Sequence, residues 1–226
     1  MPPAPRARWA IPLALLPLVA QSLCDGFYKA PLHRWSVTAF WFVDVTKFVL
    51  LPTLALWALA RFAGVRPKDY GLRWPRTATE RETFFGAVLL AGLVLVPLYF
   101  IADELIWRVW PMARPDFTYG NAMPAAWPLR WLTVAYYSLT AGIVEEIVFR
   151  GLPWTWAEPL ADTVAKRSIW IAVTSVTFGL VHWENGWPDV LTATVFGIAA
   201  AALYLRLRNL WPLIAAHVLT DVIAFA

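Results

Sequence analysis

The sequence predicts an all-α fold, a polytopic transmembrane helical bundle of about seven spans. Three observations carry that prediction. Hydrophobic residues make up 60% of the 226 residues and charged residues 15%, against about 45–50% and about 25% in soluble domains. Several apolar runs approach or exceed the roughly 20 residues that cross a bilayer. The chain holds 15 Trp, a residue enriched where lipid meets water. The formal charge of +4 fits loop arginines on one side of a membrane and points to no nucleic-acid partner. Cys24 is the single cysteine, which excludes an internal disulfide or a multi-cysteine metal site. It reads as small apolar filler.

The first span is Trp9–Leu23, preceded by Arg6 and Arg8. Positive residues before a short apolar segment also suit a signal peptide, but the residues before Cys24 lack the small-residue pattern of a cleavage site, so a retained span is expected. The second span runs from about Trp35 to Phe62, and Asp44 and Lys47 within it are spaced to pair with each other. Arg61–Glu82 is an arginine-rich linker with Pro67 and Pro75. The third span covers about Phe84–Ile101 and extends toward Trp110, with Asp103 and Glu104 at its interfacial end. A loop at 112–128 follows, then a fourth helix from near Leu129. Glu158–Arg167 reads as a short interfacial piece. The remaining spans are about Ser168–Trp183, Val190–Leu205 and Leu210 to the end. Residues 1–128 thus hold N-terminal spans and loops, and 129–226 a core that carries the chemistry. Lys and Arg set the orientation. With the N-terminus inside, inner segments hold thirteen of them and outer segments five (Lys29, Arg34, Arg108, Arg114 and Arg130).

The fourth helix contains adjacent carboxylates, Glu145 and Glu146, in an apolar run that ends at Arg150. Glu146 and Arg150 are one helical turn apart and can pair, whereas Glu145 is turned roughly 100° away. An ionisable residue at membrane depth costs about 2.5–3.5 kcal/mol on insertion scales, and so suggests function. The chain has three histidines. His33, beside Arg34 in a predicted loop, is given no role. His182 has Phe178 on its own helix face, and His217 has Asp221 on its face. A shared depth requires the fourth helix to continue past Arg150 to about Trp156, with a bend at Pro153. A carboxylate among apolar side chains suits general-base activation of water. A histidine backed by an acid can stabilise a developing oxyanion or protonate a leaving amine. That chemistry is hydrolytic, with peptide cleavage the natural case. The same side chains also offer two histidines and a carboxylate to zinc. Intramembrane acids and histidines also suit a relay in a small transporter.

At these residues the chain resembles the CAAX-protease and bacteriocin-processing group, the CPBP or Abi-type intramembrane proteases. The family pattern is Glu-Glu-x-x-x-Arg, Phe-x-x-x-His, and His-x-x-x-Asn or Asp. Here it reads Glu145-Glu146 to Arg150, Phe178 to His182, and His217 to Asp221. The resemblance covers roughly residues 129–226 and implies a metal-independent glutamic endopeptidase. On it, Glu145 is the base and His182 helps hold the water. His217 and Asp221 form the oxyanion pocket, and Glu146, Arg150 and Phe178 support the site. Asp221 stands where the prenyl-protein branch has Asn. An ionised Asp only accepts hydrogen bonds, so Asp221 is protonated, orients His217, or serves a metal. The implied partners are the lipid bilayer and a membrane, lipid-anchored or peptide substrate. Prenylated tails, bacteriocin leaders and sorting tags all remain open. Composition points to a multi-pass protein of a bacterial cell membrane.

Overall fold

The computed structural model describes residues 5–113 and 115–226, with side chains from Trp9 onward. Arg114, counted above among the outer arginines, lies outside the described residues, as do the side chains of Arg6 and Arg8. The described chain is all-α. Its helices are α1 (Pro5–Leu23), α2 (Asp25–Trp35), α3 (Val37–Phe62), α4 (Ala78–Val109), α5 (Trp127–Ala157), α6 (Val164–Leu180), α7 (Trp187–Leu207) and α8 (Trp211–Phe225). Short 3₁₀ turns at Pro67–Tyr70, Tyr119–Ala122 and Trp183–Asn185 punctuate the connections.

Among the described residues, α3, α4, α5 and α7 are long and apolar enough to cross a membrane, and the pair α1–α2, bent by 58°, adds a fifth candidate. By that measure the count is four or five. Helices α6 and α8 fall below it, at 17 and 15 residues. The outer faces of the long helices are apolar: Leu54, Trp57, Leu89 and Leu93 are all exposed. Lipid, unlike water, accommodates such a surface without cost.

Helix starts follow local chemistry. Thr77 caps α4, accepting from the Glu80 N–H while Glu80 accepts from the Thr77 N–H. Thr163 caps α6 by accepting from the Lys166 N–H, without the reciprocal bond. Helices α5, α7 and α8 each place a proline in the first turn, where its missing N–H has no helical partner to lose.

Two helices are widened by one π-helical turn, α3 at Thr46–Leu50 and α5 at Ile147–Gly151. Each turn ends two residues before a proline, Pro52 and Pro153. A proline ring presses on the carbonyl four residues back and supplies no N–H to it. The wider turn relieves both conflicts. Helix α5 thus continues past Arg150 to Ala157, and the bend expected at Pro153 takes the form of a π turn.

The C-terminal helices form the core. Helix α8 packs against both α4 and α5, and α7 lies between α4 and α6. Small residues bring backbones together, as expected where lipid supplies no hydrophobic drive. A Cβ on Gly142 would lie 2.7 Å from Val218 Cγ2, and one on Gly179 would lie 2.5 Å from the Val190 carbonyl. Those two contacts seat α5 on α8 and α6 on α7.

Three local expectations are corrected. His33 belongs to α2 rather than to a loop, where its ring packs against Phe40 and Phe117 at 5.2 and 4.9 Å. Glu158–Arg167 is not a separate interfacial piece: residues 158–163 turn and α6 begins at Val164. Lys47 ion-pairs with Asp25 of α2 rather than with Asp44, while Asp44 Oδ1 accepts from the Tyr136 hydroxyl at 2.9 Å. Tertiary packing supplied a partner 22 residues away and so overrode the local i,i+3 spacing.

Candidate active site

Helix α5 carries two consecutive acids with different surroundings. Glu146 faces inward and is fully buried with Arg150, whose Nη1 donates to Glu146 Oε1 at 3.1 Å. The guanidinium lies over the Phe178 ring, 4.1 Å from its centroid, a stacking that suits a planar cation. Glu146 Oε1 also meets His217 Nδ1 of α8 at 2.9 Å. A carboxylate only accepts, so Nδ1 carries the proton and donates. Glu146 Oε2 and Arg150 Nη2 are buried without a hydrogen-bond partner.

Glu145 points the other way, into a cavity of about 450 Å³ whose wall also includes His182, His217 and Asp221. With Nδ1 engaged, His217 turns Nε2 toward this cavity. Nε2 lies 3.7 Å from Glu145 Oε2 and 3.9 Å from Asp221 Oδ2. These separations exceed a hydrogen bond and match ion-pair range. Phe178 and Phe196 hold the imidazole, with ring centroids 6.0 and 5.1 Å away.

His182 follows α6 at the start of the next turn rather than sitting within a span. Its Nδ1 is 2.8 Å from the Phe178 carbonyl. A carbonyl accepts, so Nδ1 again holds the proton and Nε2 is the atom left for other partners. Phe178 therefore touches Arg150, His182 and His217 together, with its ring 5.0 Å from that of His182. A second recess of about 60 Å³ lies between Tyr99, Phe178, His182, His217 and Asp221.

All seven residues singled out from sequence thus lie around one cavity or directly behind it. Among the described residues, no group of three His, Cys, Asp or Glu side chains is arranged to hold a metal ion. Each candidate histidine has Nδ1 engaged, by Glu146 or by the Phe178 carbonyl, and is left with Nε2 for other partners.

Sequence reasoning singled out only four residues of the cavity wall. Asp25, Lys47, Asp103, Tyr119, Glu184 and Asp189 line it as well. Asp103 and Glu104, expected at the interfacial end of their span, face differently: Asp103 lines the cavity, while Glu104 is exposed and paired with Arg108 at 2.6 Å. Asp25 and Lys29, beside an apolar span, carried the same signal as Glu145 (ionisable residues at membrane depth) and could have been flagged on it.

Residues 125–223 match the family model described as Type II CAAX prenyl endopeptidase Rce1-like. The match contains all three motifs and agrees with the resemblance to the CAAX-protease group. No curated protein and no solved structure matches the chain. The apolar helices and this similarity indicate an integral membrane protein.

Proposed function

We propose that this protein is an intramembrane endopeptidase that cleaves a membrane-associated protein or peptide near its terminus, by a metal-independent glutamate mechanism. Glu145 takes a proton from a water held between it and the histidine Nε2 atoms. The hydroxide adds to the scissile carbonyl carbon, forming a C–O bond. His217, in its doubly protonated form, donates Nε2–H to the resulting oxyanion, with Asp221 orienting the ring. Collapse breaks the C–N bond, and the proton taken by Glu145 passes to the leaving amine. Glu146 fixes the angle of His217 and stabilises its charged form, and Arg150 balances the charge of Glu146. His182 Nε2 accepts from the water. The protein is proposed to reside in a bacterial cell membrane.

The observation that supports this reading best is the 3.7 Å approach of Glu145 Oε2 to His217 Nε2 inside a cavity, backed by the buried Glu146–Arg150 pair. The test is hydrolysis of membrane-anchored tail peptides by detergent-purified protein, comparing wild type, Glu145→Gln and chelator-treated wild type. Loss of a general base costs about 10²–10⁴-fold. We expect a loss of at least about 100-fold in Glu145→Gln and full activity after chelation. Equal hydrolysis by Glu145→Gln would overturn the assignment and turn attention to ion-coupled transport. Activity lost to the chelator and restored by zinc would return the metal mechanism.

A further inference from the structure

The arginine-rich linker between α3 and α4 is pinned to the C-terminal helices. The Tyr204 hydroxyl of α7 donates to the Tyr70 carbonyl at 3.2 Å. Between α7 and α8, the Leu210 N–H donates to the Gly71 carbonyl and the Asn209 side-chain amide to the Arg73 carbonyl, both at 2.8 Å. Gly71 permits this seam: its φ is +97°, and a Cβ there would lie 3.0 Å from the Tyr204 hydroxyl. Trp74, 69% exposed, stands beside Phe84 of α4 and Trp211 of α8, with ring centroids 5.5 and 5.8 Å away. Tryptophan is enriched where lipid headgroups meet water.

The pinned linker and α4 enclose a cavity of about 1150 Å³ that shares no lining residue with the cavity around Glu145. Its wall is divided by chemistry. Exposed Lys68, Arg73 and Arg76 supply one part, and the less exposed Leu72, Phe84 and Pro212 belong to the other. Its two carboxylates serve the backbone: Asp69 accepts from the Arg66 N–H at 2.8 Å, and Glu80 from the N–H groups of Arg76 and Thr77. Among the described residues, neither Lys68 nor Arg73 is in an ion pair. Positive charge in a loop is enough to orient a membrane protein, and needs no cavity. A cavity with cations on one side and apolar groups on the other, at headgroup level, fits a ligand with an anionic head and apolar chains. Size agrees: small-molecule sites measure about 300–1,000 Å³, so a free phosphate would leave most of this one empty.

We propose that this cavity binds one anionic phospholipid of the leaflet facing the linker, with its phosphate held by Lys68 and Arg73 and its acyl chains lying along Leu72, Phe84 and Pro212. Arg73 donates Nε–H to the Lys68 carbonyl at 3.0 Å. That bond ties the two cations together and leaves the Nη donors for the phosphate oxygens. The site stands apart from the endopeptidase reading and is tested without it.

The experiment titrates the full-length protein in detergent with phosphatidylglycerol and with phosphatidylcholine of the same chains, and reads bound lipid by native mass spectrometry. A Lys or Arg beside an anionic lipid contributes about fivefold in affinity, so two contribute roughly 25-fold. We expect wild type to prefer phosphatidylglycerol by about that factor. Lys68→Gln with Arg73→Gln should bring the preference to within about twofold. Lys68→Gln alone should lower it about fivefold, and because that side chain makes no hydrogen bond among the described residues, it keeps the test readable if the pair fails to fold. Arg61→Gln with Arg81→Gln removes two exposed charges at the ends of the same linker, outside the cavity, and should change the preference by less than about twofold. Equal binding of the two lipids by wild type overturns the proposal. So does an equal loss in the Arg61 and Arg81 pair, which would mean diffuse attraction to the surface. Glycerol phosphate that competes as well as the phospholipid also overturns it, because the apolar wall would then contribute nothing.

Discussion

Glu146 and His217, 71 residues apart in sequence, meet through one short hydrogen bond, Oε1 to Nδ1 at 2.9 Å, with both side chains buried. The same oxygen receives Arg150. One acid therefore organises the cation behind it and the imidazole in front of it, leaving Glu145 and His217 Nε2 to face the cavity.

Glu146→Ala should strand the Arg150 charge in the core. Removing one partner of a buried pair costs about 3–5 kcal/mol. The expected outcome is a large fall in the thermal unfolding midpoint in detergent, with Glu146→Gln falling less because the amide still accepts from Arg150. An unchanged midpoint for the alanine variant would mean that Arg150 finds another partner.

Phe178→Leu keeps an apolar side chain but removes the face on which Arg150 rests, 4.1 Å away. A desolvated cation–π contact is worth about 2 kcal/mol. Stability should drop by that order, and peptide hydrolysis should fall too, since both histidines pack on the same ring. Hydrolysis at the wild-type rate would show that Arg150 and the histidines are positioned without it.

Asp25 and Lys47 join α2 to α3 and line the cavity. Asp25→Asn and Lys47→Met should each destabilise by about 3 kcal/mol or more, whereas the double variant should regain most of that loss, because no buried charge is left unpaired. A double-mutant cycle with additive costs would contradict this coupling.

Gly179→Ala adds a Cβ 2.5 Å from the Val190 carbonyl and against the Thr194 side chain. Overpacking of this kind costs about 1–3 kcal/mol. Separation of α6 from α7 would also displace Phe178 and His182, so the variant should lose activity at temperatures where it remains folded. Wild-type activity together with wild-type stability would count against the tight α6–α7 approach.

The sequence alone determined the helical, membrane-embedded character of the chain, because apolar composition and run length are local properties. It also determined the Glu146–Arg150 pair and the reach of α5 beyond Arg150, since i,i+4 spacing and helix length can be counted along one element. The His217–Asp221 relation was legible for the same reason, and the two groups do approach, to 3.9 Å.

Only the tertiary structure decided which groups meet across elements. It gave His217 to Glu146, paired Lys47 with Asp25 instead of Asp44, and brought Lys29 of α2 onto Glu184 beside His182. In a low-dielectric interior every charge must find a partner. Several candidates within reach satisfy local spacing, and helix packing selects among them. That selection depends on small residues such as Gly26, Gly142 and Gly179, whose role is the space they leave, and spacing along the chain does not reveal which surface fills that space.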